Sequence, residues 1–296
     1  MPKSDSAMHT VDFSDGVHPL VETCRSVVVL LELDDEGYIA SPDIGALVAF
    51  VPEFDRWYRR MCGFSEGAGR MHLLYRREIG IATAISPRRW EQLRPVAHAC
   101  RDVGLGFSLT LDLRAAANEV AELTTLLGDS AVRGVSIAFD GDPTLFVQAS
   151  AALAVLRDAP QAIGFTGPVR TLLDSGILGD AQWCTRHVSI DPLIARSPMD
   201  AAQQADACWR RFRLTIDSKG DMYPCFGLMG LAAGRLGNIA QPLEHSVLCG
   251  HPAALDLLAL AKQGPVLVWS AGLQEAATGL PAVCEQHRAA LLSQTL

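Results

Sequence analysis

The residues best suited to chemistry gather in the last third of the chain. Cys208 and Cys225 flank the stretch Phe212-Arg-Leu-Thr-Ile216-Asp-Ser-Lys-Gly220-Asp-Met-Tyr-Pro224. Phe212, Leu214 and Ile216 alternate with polar residues, which predicts a half-buried strand. Asp217-Ser-Lys-Gly220 is turn chemistry, its glycine free to take positive φ. Met222 and Tyr223 open a return strand, and Pro224 stops its ladder. Such a hairpin carries one thiol before its first strand and one after its second. Two thiols held this way suit soft-metal or iron–sulfur ligation, and two ordinary buried cysteines are the competing reading. Cys284-Glu-Gln-His287 adds a Cys-x2-His pair. Cys249-Gly-His251 is a rival source of ligands with tight spacing. Between these pairs, Ala253 to Lys262 is crowded with apolar residues, which predicts a helix packed on the hairpin and ended by Gly264-Pro265.

Composition bounds the setting. The chain has 296 residues, 49% of them hydrophobic, enough for one large domain or two smaller ones. A net charge of −8 argues against a nucleic-acid partner, because phosphate binding needs clustered Lys and Arg. The pairs Arg59-Arg60, Arg76-Arg77, Arg88-Arg89 and Arg210-Arg211 are short and read as solvated faces. The first residues carry no apolar run of secretory type, and no stretch has the roughly 18 apolar residues of a membrane span. A cytoplasmic setting without a membrane partner is expected. The eight cysteines then read as metal ligands or buried side chains, not a disulfide framework. Cys24, Cys62, Cys100 and Cys184 are assigned to the core.

Upstream elements must position this C-terminal chemistry. Residues 1–23 read as a flexible tail. Ser26 to Leu33 is a continuous apolar run, suited to a strand buried on both faces and ended by Asp34-Asp-Glu-Gly37. Residues 42–62 read as helical, split by Pro52. A rhythm follows: strand 78–85, a helix capped by Ser86 and running to Asp102, strand 107–111, helix 115–127, strand 135–139, helix 145–156, strand 162–165, a short helix at 168–174, and strand 186–190. Strands alternating with helices imply βαβ units and a parallel sheet, and about six strands suit an open, partial barrel. Asp140-Gly141 closes one strand at the end where such sheets bind ligands, and turn formation is the expected role. No dinucleotide fingerprint, P-loop or nucleophile elbow occurs.

Cys-x11-Gly-x4-Cys, with Ile216-Asp-Ser-Lys-Gly220 before Tyr223-Pro-Cys225 and Leu236-Gly-Asn-Ile239 after it, resembles the opening of the SPASM or twitch extension of radical S-adenosylmethionine enzymes. Ala261-Lys-Gln-Gly-Pro265 and Cys284-Glu-Gln-His287 look like the later helix and the next Cys-x2-Cys pair, with His287 in place of its second cysteine. The resemblance covers residues 208–292 most clearly. It implies an α/β fold: a partial (β/α)6 TIM-like barrel over 24–198 and a C-terminal SPASM/twitch-like α+β extension over 199–296. It further implies an auxiliary 4Fe–4S cluster on Cys208, Cys225, Cys284 and His287.

Upstream, Ile137-Ala-Phe-Asp140-Gly141 resembles that family's Val-Ser-x-Asp-Gly strand end. The family's Cys-x3-Cys-x2-Cys motif falls on Gly37, Ser41 and Ile44, and its Gly-Gly-Glu-Pro motif on Gly80 to Pro87 without an acidic residue. S-adenosylmethionine is therefore not expected as a cofactor. The implied protein is a degenerate relative, with no catalytic residue assigned. Its expected partner is a peptide substrate or an intact radical enzyme. The alternatives are an active enzyme with a divergent cluster site and a zinc-stabilised interaction domain.

Overall fold

The computed structural model describes residues 26–61, 77–177, 189–190, 214–223, 229–230, 232 and 235–243. In chain order these form β1 (Ser26–Val29), β2 (Glu32–Leu33), β3 (Ile39–Ser41), α1 (Ile44–Met61), β4 (Glu78–Ile85), a 3-10 turn (Pro87–Arg89) leading into α2 (Trp90–Asp102), and β5 (Gly106–Asp112). There follow α3 (Leu113–Asn118), α4 (Val120–Leu127), β6 (Gly134–Ala138), α5 (Thr144–Gln148), α6 (Ser150–Asp158) and β7 (Ala162–Thr166). The last elements are α7 (Val169–Asp174), β8 (Ser189–Ile190), β9 (Leu214–Ile216), β10 (Asp221–Tyr223) and β11 (Gly237–Asn238).

The fold is mixed α/β around one mostly parallel sheet, in the order β11-β10-β9-β1-β4-β5-β6-β7-β8. From β1 through β8 each neighbour pair is parallel, and β9 also pairs parallel with β1. Only the β9–β10–β11 end is antiparallel. The alternation read from the sequence thus becomes a parallel sheet, with the 78–85 strand as expected and the next three each within a residue of their expected ends. Among the described residues no helix is long and apolar enough to cross a membrane.

Alternation along each strand sends large apolar side chains to one face. Ile81, Leu109, Val135 and Ile163 form one buried row, and Ile85, Leu111, Ile137 and Phe165 another. Leu47, Phe50, Phe54, Trp90, Leu93 and Leu123 from the helices belong to the same core. Burial of such side chains, roughly 1.5–3 kcal/mol each, is the main term holding helices to sheet.

Several local expectations are corrected. The apolar run 26–33 is not one strand. β1 ends at Val29, Val28 is only half-buried, and Glu32–Leu33 pairs instead with β3 in a separate hairpin. Pro52 does not split α1, which runs unbroken through it because Leu47, Phe50, Val51, Phe54, Trp57 and Tyr58 anchor both sides of the proline in the core. The expected helix 115–127 breaks at Glu119, whose φ of −126° and ψ of 49° leave the helical region. The break turns the Glu119 carboxylate back to accept from the Ser86 hydroxyl, the Arg88 amide at 3.0 Å and Arg88 Nε. Glu119, not Ser86, therefore satisfies the amide at the start of the 3-10 turn. Helix 145–156 is likewise two helices, separated at Ala149.

The strand over 214–216 is fully buried, not half-buried, because it lies between β1 and β10 and is packed on both faces. Arg77 is also not on a solvated face. Its side chain, 6% exposed, pairs with Asp55 and lies 4.9 Å from the centroid of the Tyr58 ring. Asp55 also accepts from Arg59 Nε at 2.6 Å.

Candidate functional site

Opposite the apolar rows, the sheet carries the small side chains of its strands. Val28, Gly80, Ser108, Gly134 and Ala162 are successive partners across β1, β4, β5, β6 and β7. Ala84, Thr110, Ser136 and Gly164 make a second row, and Asp112, Ala138 and Thr166 a third nearer the strands' C-terminal ends. None of these side chains is large enough to anchor a packed helix. The face is half-buried across β5 and β6 and exposed at Ala162 and Thr166 on β7.

Its hydroxyls are ordered. Thr110 Oγ1 donates to the Ile81 carbonyl at 3.0 Å, Ser136 and Thr166 share a hydrogen bond of 2.8 Å, and Ser108 donates to Glu78. Ser108 fits because Gly80 and Gly134 flank it: a Cβ on either would come within 3.1 Å of its Oγ or 3.3 Å of its Cβ. The result is a shallow polar surface of hydroxyls and backbone, suited to an extended, hydrogen-bonding ligand and poor in groups for acid–base catalysis.

The C-terminal ends of the strands form the rim of this face, where open parallel sheets bind ligands. β4 is irregular here, its register to β5 shifting between Ile81 and Ala84. Thr83 in the irregular stretch accepts from the Leu31 amide at 2.7 Å and donates to the Leu31 carbonyl at 3.1 Å, so its hydroxyl stands in for a strand partner. Asp112 caps α3 by accepting from the Ala115 amide at 2.8 Å. Asp140 accepts from the Asp142 amide at 3.0 Å and from Arg114 at 2.8 Å, and these two contacts hold its carboxyl below the usual range. The turn role expected for Asp140 is what its hydrogen bonds provide. Gly167 permits the close passage of the chain beside Phe139, since a Cβ there would lie 2.5 Å from the Phe139 carbonyl oxygen.

The two stretches onto which the resemblance places that family's motifs are both near this rim. Gly37, with φ of 75°, lies in the β2–β3 turn, Ser41 ends β3 with its hydroxyl 3.2 Å from Glu32, and Ile44 opens α1. Asp34 closes that turn by accepting from the Glu36 and Tyr38 amides. Gly80 to Pro87 is the irregular end of β4 and the start of the 3-10 turn.

Cys208, Cys225, Cys284 and His287 lie outside the described residues, as do Cys249, His251, the helix expected over 253–262, the 1–23 tail, and Cys24, Cys62 and Cys184. The hairpin between the first two thiols is described in its centre. Met222 pairs with Ile216 and Tyr223 with Thr215, while Gly220 turns with φ of 80°. Asp217 closes the turn by accepting from the Lys219 and Asp221 amides, both at 2.9 Å. Among the described residues no three His, Cys, Asp or Glu side chains converge as a metal site. Cys100 is in the core as expected, and burial pushes its thiol up to about 12.

The small-residue face is the feature that sequence reasoning missed. Its signal was present as Ser108-x-Thr110, Gly134-x-Ser136 and Gly164-x-Thr166, three successive strands with the same small, polar side of a period-2 pattern. No family model matches the chain, and no curated protein matches it significantly.

Proposed function

We propose that the chain is a degenerate relative of radical S-adenosylmethionine enzymes with a SPASM/twitch-like extension, acting without S-adenosylmethionine chemistry as a partner in peptide or cofactor maturation. One observation carries the reading: β1, β4, β5, β6, β7 and β8 are parallel neighbours in chain order. With the usual right-handed crossovers, the unreversed order from β1 to β8 puts the helices between those strands on one side, and β9 then adds parallel to the far edge of β1. A doubly wound sheet reverses its order and covers both sides. A singly wound sheet curls toward a barrel, and its inner face here is the small polar one. This supports a partial (β/α)6 barrel whose lumen receives an extended peptide, hydrogen-bonded by Ser108, Thr110, Ser136 and Thr166. Further support comes from Gly37, Ser41 and Ile44, none of which has a thiol to hold a cluster.

In the extension, Cys208, Cys225, Cys284 and His287 would hold an auxiliary 4Fe–4S cluster, whose donor set of thiolates and imidazole they match. Bound there, the cluster would supply electron transfer and tie the hairpin's open end together. Iron and sulfide analysis of anaerobically purified protein tests this part. Iron with acid-labile sulfide, reduced in Cys225→Ser, is expected. Zinc without sulfide favours an interaction domain instead. Because the thiolate is the ligand, metal retention falls as pH drops.

A further inference from the structure

We infer that the small-residue face selects a basic peptide: an extended chain lying along the strands, with one Lys or Arg side chain at Asp112 and another at Glu78. This rests on that face being the peptide-binding surface proposed above, and adds the chemistry of the peptide. Two carboxylates stand on the face, one toward each end. Glu78 opens β4, and its carboxylate accepts from Ser108, at the centre of the first row, so it points onto the face. A Cβ on Gly80 would meet both groups, Ser108 Oγ at 3.1 Å and Glu78 Oε1 at 3.8 Å. Asp112 ends β5 and shares a row with Ala138 and Thr166. Glu78 is the partner of Gly106, and Asp112 lies six residues beyond Gly106 on β5. At about 3.3 Å per residue, the two acidic positions are roughly 20 Å apart along the strands, a span that an extended peptide covers in about six residues. The other side chains that β4 to β7 place on this face are Gly, Ala, Ser and Thr, so its fixed charge is negative.

The hydrogen-bonding groups have the same sense. Ser108 spends its proton on Glu78 and Thr110 on the Ile81 carbonyl, so each hydroxyl presents lone pairs to an arriving group. Lone pairs and carboxylates call for donors. A peptide supplies them from its backbone N–H groups and from Lys or Arg. Neighbouring charges set the two ends apart. Arg133 passes close to Glu78: its Cδ and Glu78 Cγ would each lie 3.7 Å from a Cβ on Gly106. At the rim Arg114 feels Asp112, Asp140 and Asp142 together, and Asp140 holds it at 2.8 Å. The rim therefore keeps the larger negative balance and is the stronger anchor. The chain's net charge of −8 adds a general attraction for cations.

Fluorescence anisotropy on the full-length protein at low ionic strength tests this with labelled peptides of Ser, Thr and Gly. One peptide carries two lysines about six residues apart, one has glutamine at both of those positions, and one has the lysines side by side. The spaced-lysine peptide should bind about tenfold more tightly than the other two, and the advantage should shrink as salt rises. Asp112→Asn should weaken its binding about tenfold and Glu78→Gln about threefold. Glu122→Gln, which neutralises an exposed acid on α4, should change nothing. Both test variants keep the fold, since Asn also caps a helix and Gln still accepts from Ser108. Thr166→Trp puts a bulky group at an exposed position of the face and should block every peptide. Equal affinity for the lysine and glutamine peptides, still abolished by Thr166→Trp, would overturn the charge selection and leave peptide binding on the face intact. Binding that survives Thr166→Trp, or no binding by any of the peptides, would overturn both.

Discussion

At the scale of single residues, the described part of the chain satisfies its charges by pairing. Arg77 and Asp55 are the clearest case, with side chains 6% and 8% exposed. Taking two ions out of water costs more than their attraction returns unless both stay paired. Asp55→Ala should therefore leave Arg77 buried without its counter-charge and lower stability by about 3–5 kcal/mol. An Asp55→Leu, Arg77→Met double variant removes both charges and should lose less. Urea denaturation of the two variants checks this, and equal losses would mean that packing, not the orphaned charge, sets the cost. Sequence alone could not place this pair: Arg76-Arg77 looks like any short surface cluster, and its burial depends on an acid and a ring contributed by α1. Glu119 was hidden for the same reason, since its partners Ser86 and Arg88 belong to another βα connection.

Elements show which signals are local and which are not. Strand 78–85 was legible because its period and its flanking Ser86-Pro87 are both written in the segment. The same holds for the turn at Asp217 to Gly220, where side-chain and backbone requirements coincide. The burial of Thr215 was not legible, because β9 acquires its neighbour β1 from the other end of the chain. That pairing makes the hairpin a structural part of the sheet. Gly220→Ala tests it. A side chain at φ of 80° costs about 1–2 kcal/mol, and the new Cβ would come within 2.9 Å of Ile239 Cγ1. If β9 and β1 unfold together, the variant should lower the single midpoint monitored by Trp90 fluorescence in a background with the other four tryptophans replaced by Phe. A shift seen only by probes on the hairpin, with the Trp90 transition unmoved, would show that the two regions melt apart.

The whole molecule joins a mostly parallel sheet to an antiparallel end that continues it. Fold class was readable because alternation of strands and helices is a global pattern. The small-residue face was not read, since small residues carry little hydrophobic signal and become a surface only when neighbouring strands align them. The central claim of the proposed reading is that the chain does not carry out the radical chemistry of the family it resembles. The most direct test is to reconstitute the full-length protein anaerobically with iron and sulfide, add S-adenosylmethionine and a strong reductant, and quantify 5′-deoxyadenosine. With Gly37, Ser41 and Ile44 where the resemblance places the cluster cysteines, the account predicts an amount equal to the control without protein. Accumulation of 5′-deoxyadenosine above that control would contradict it.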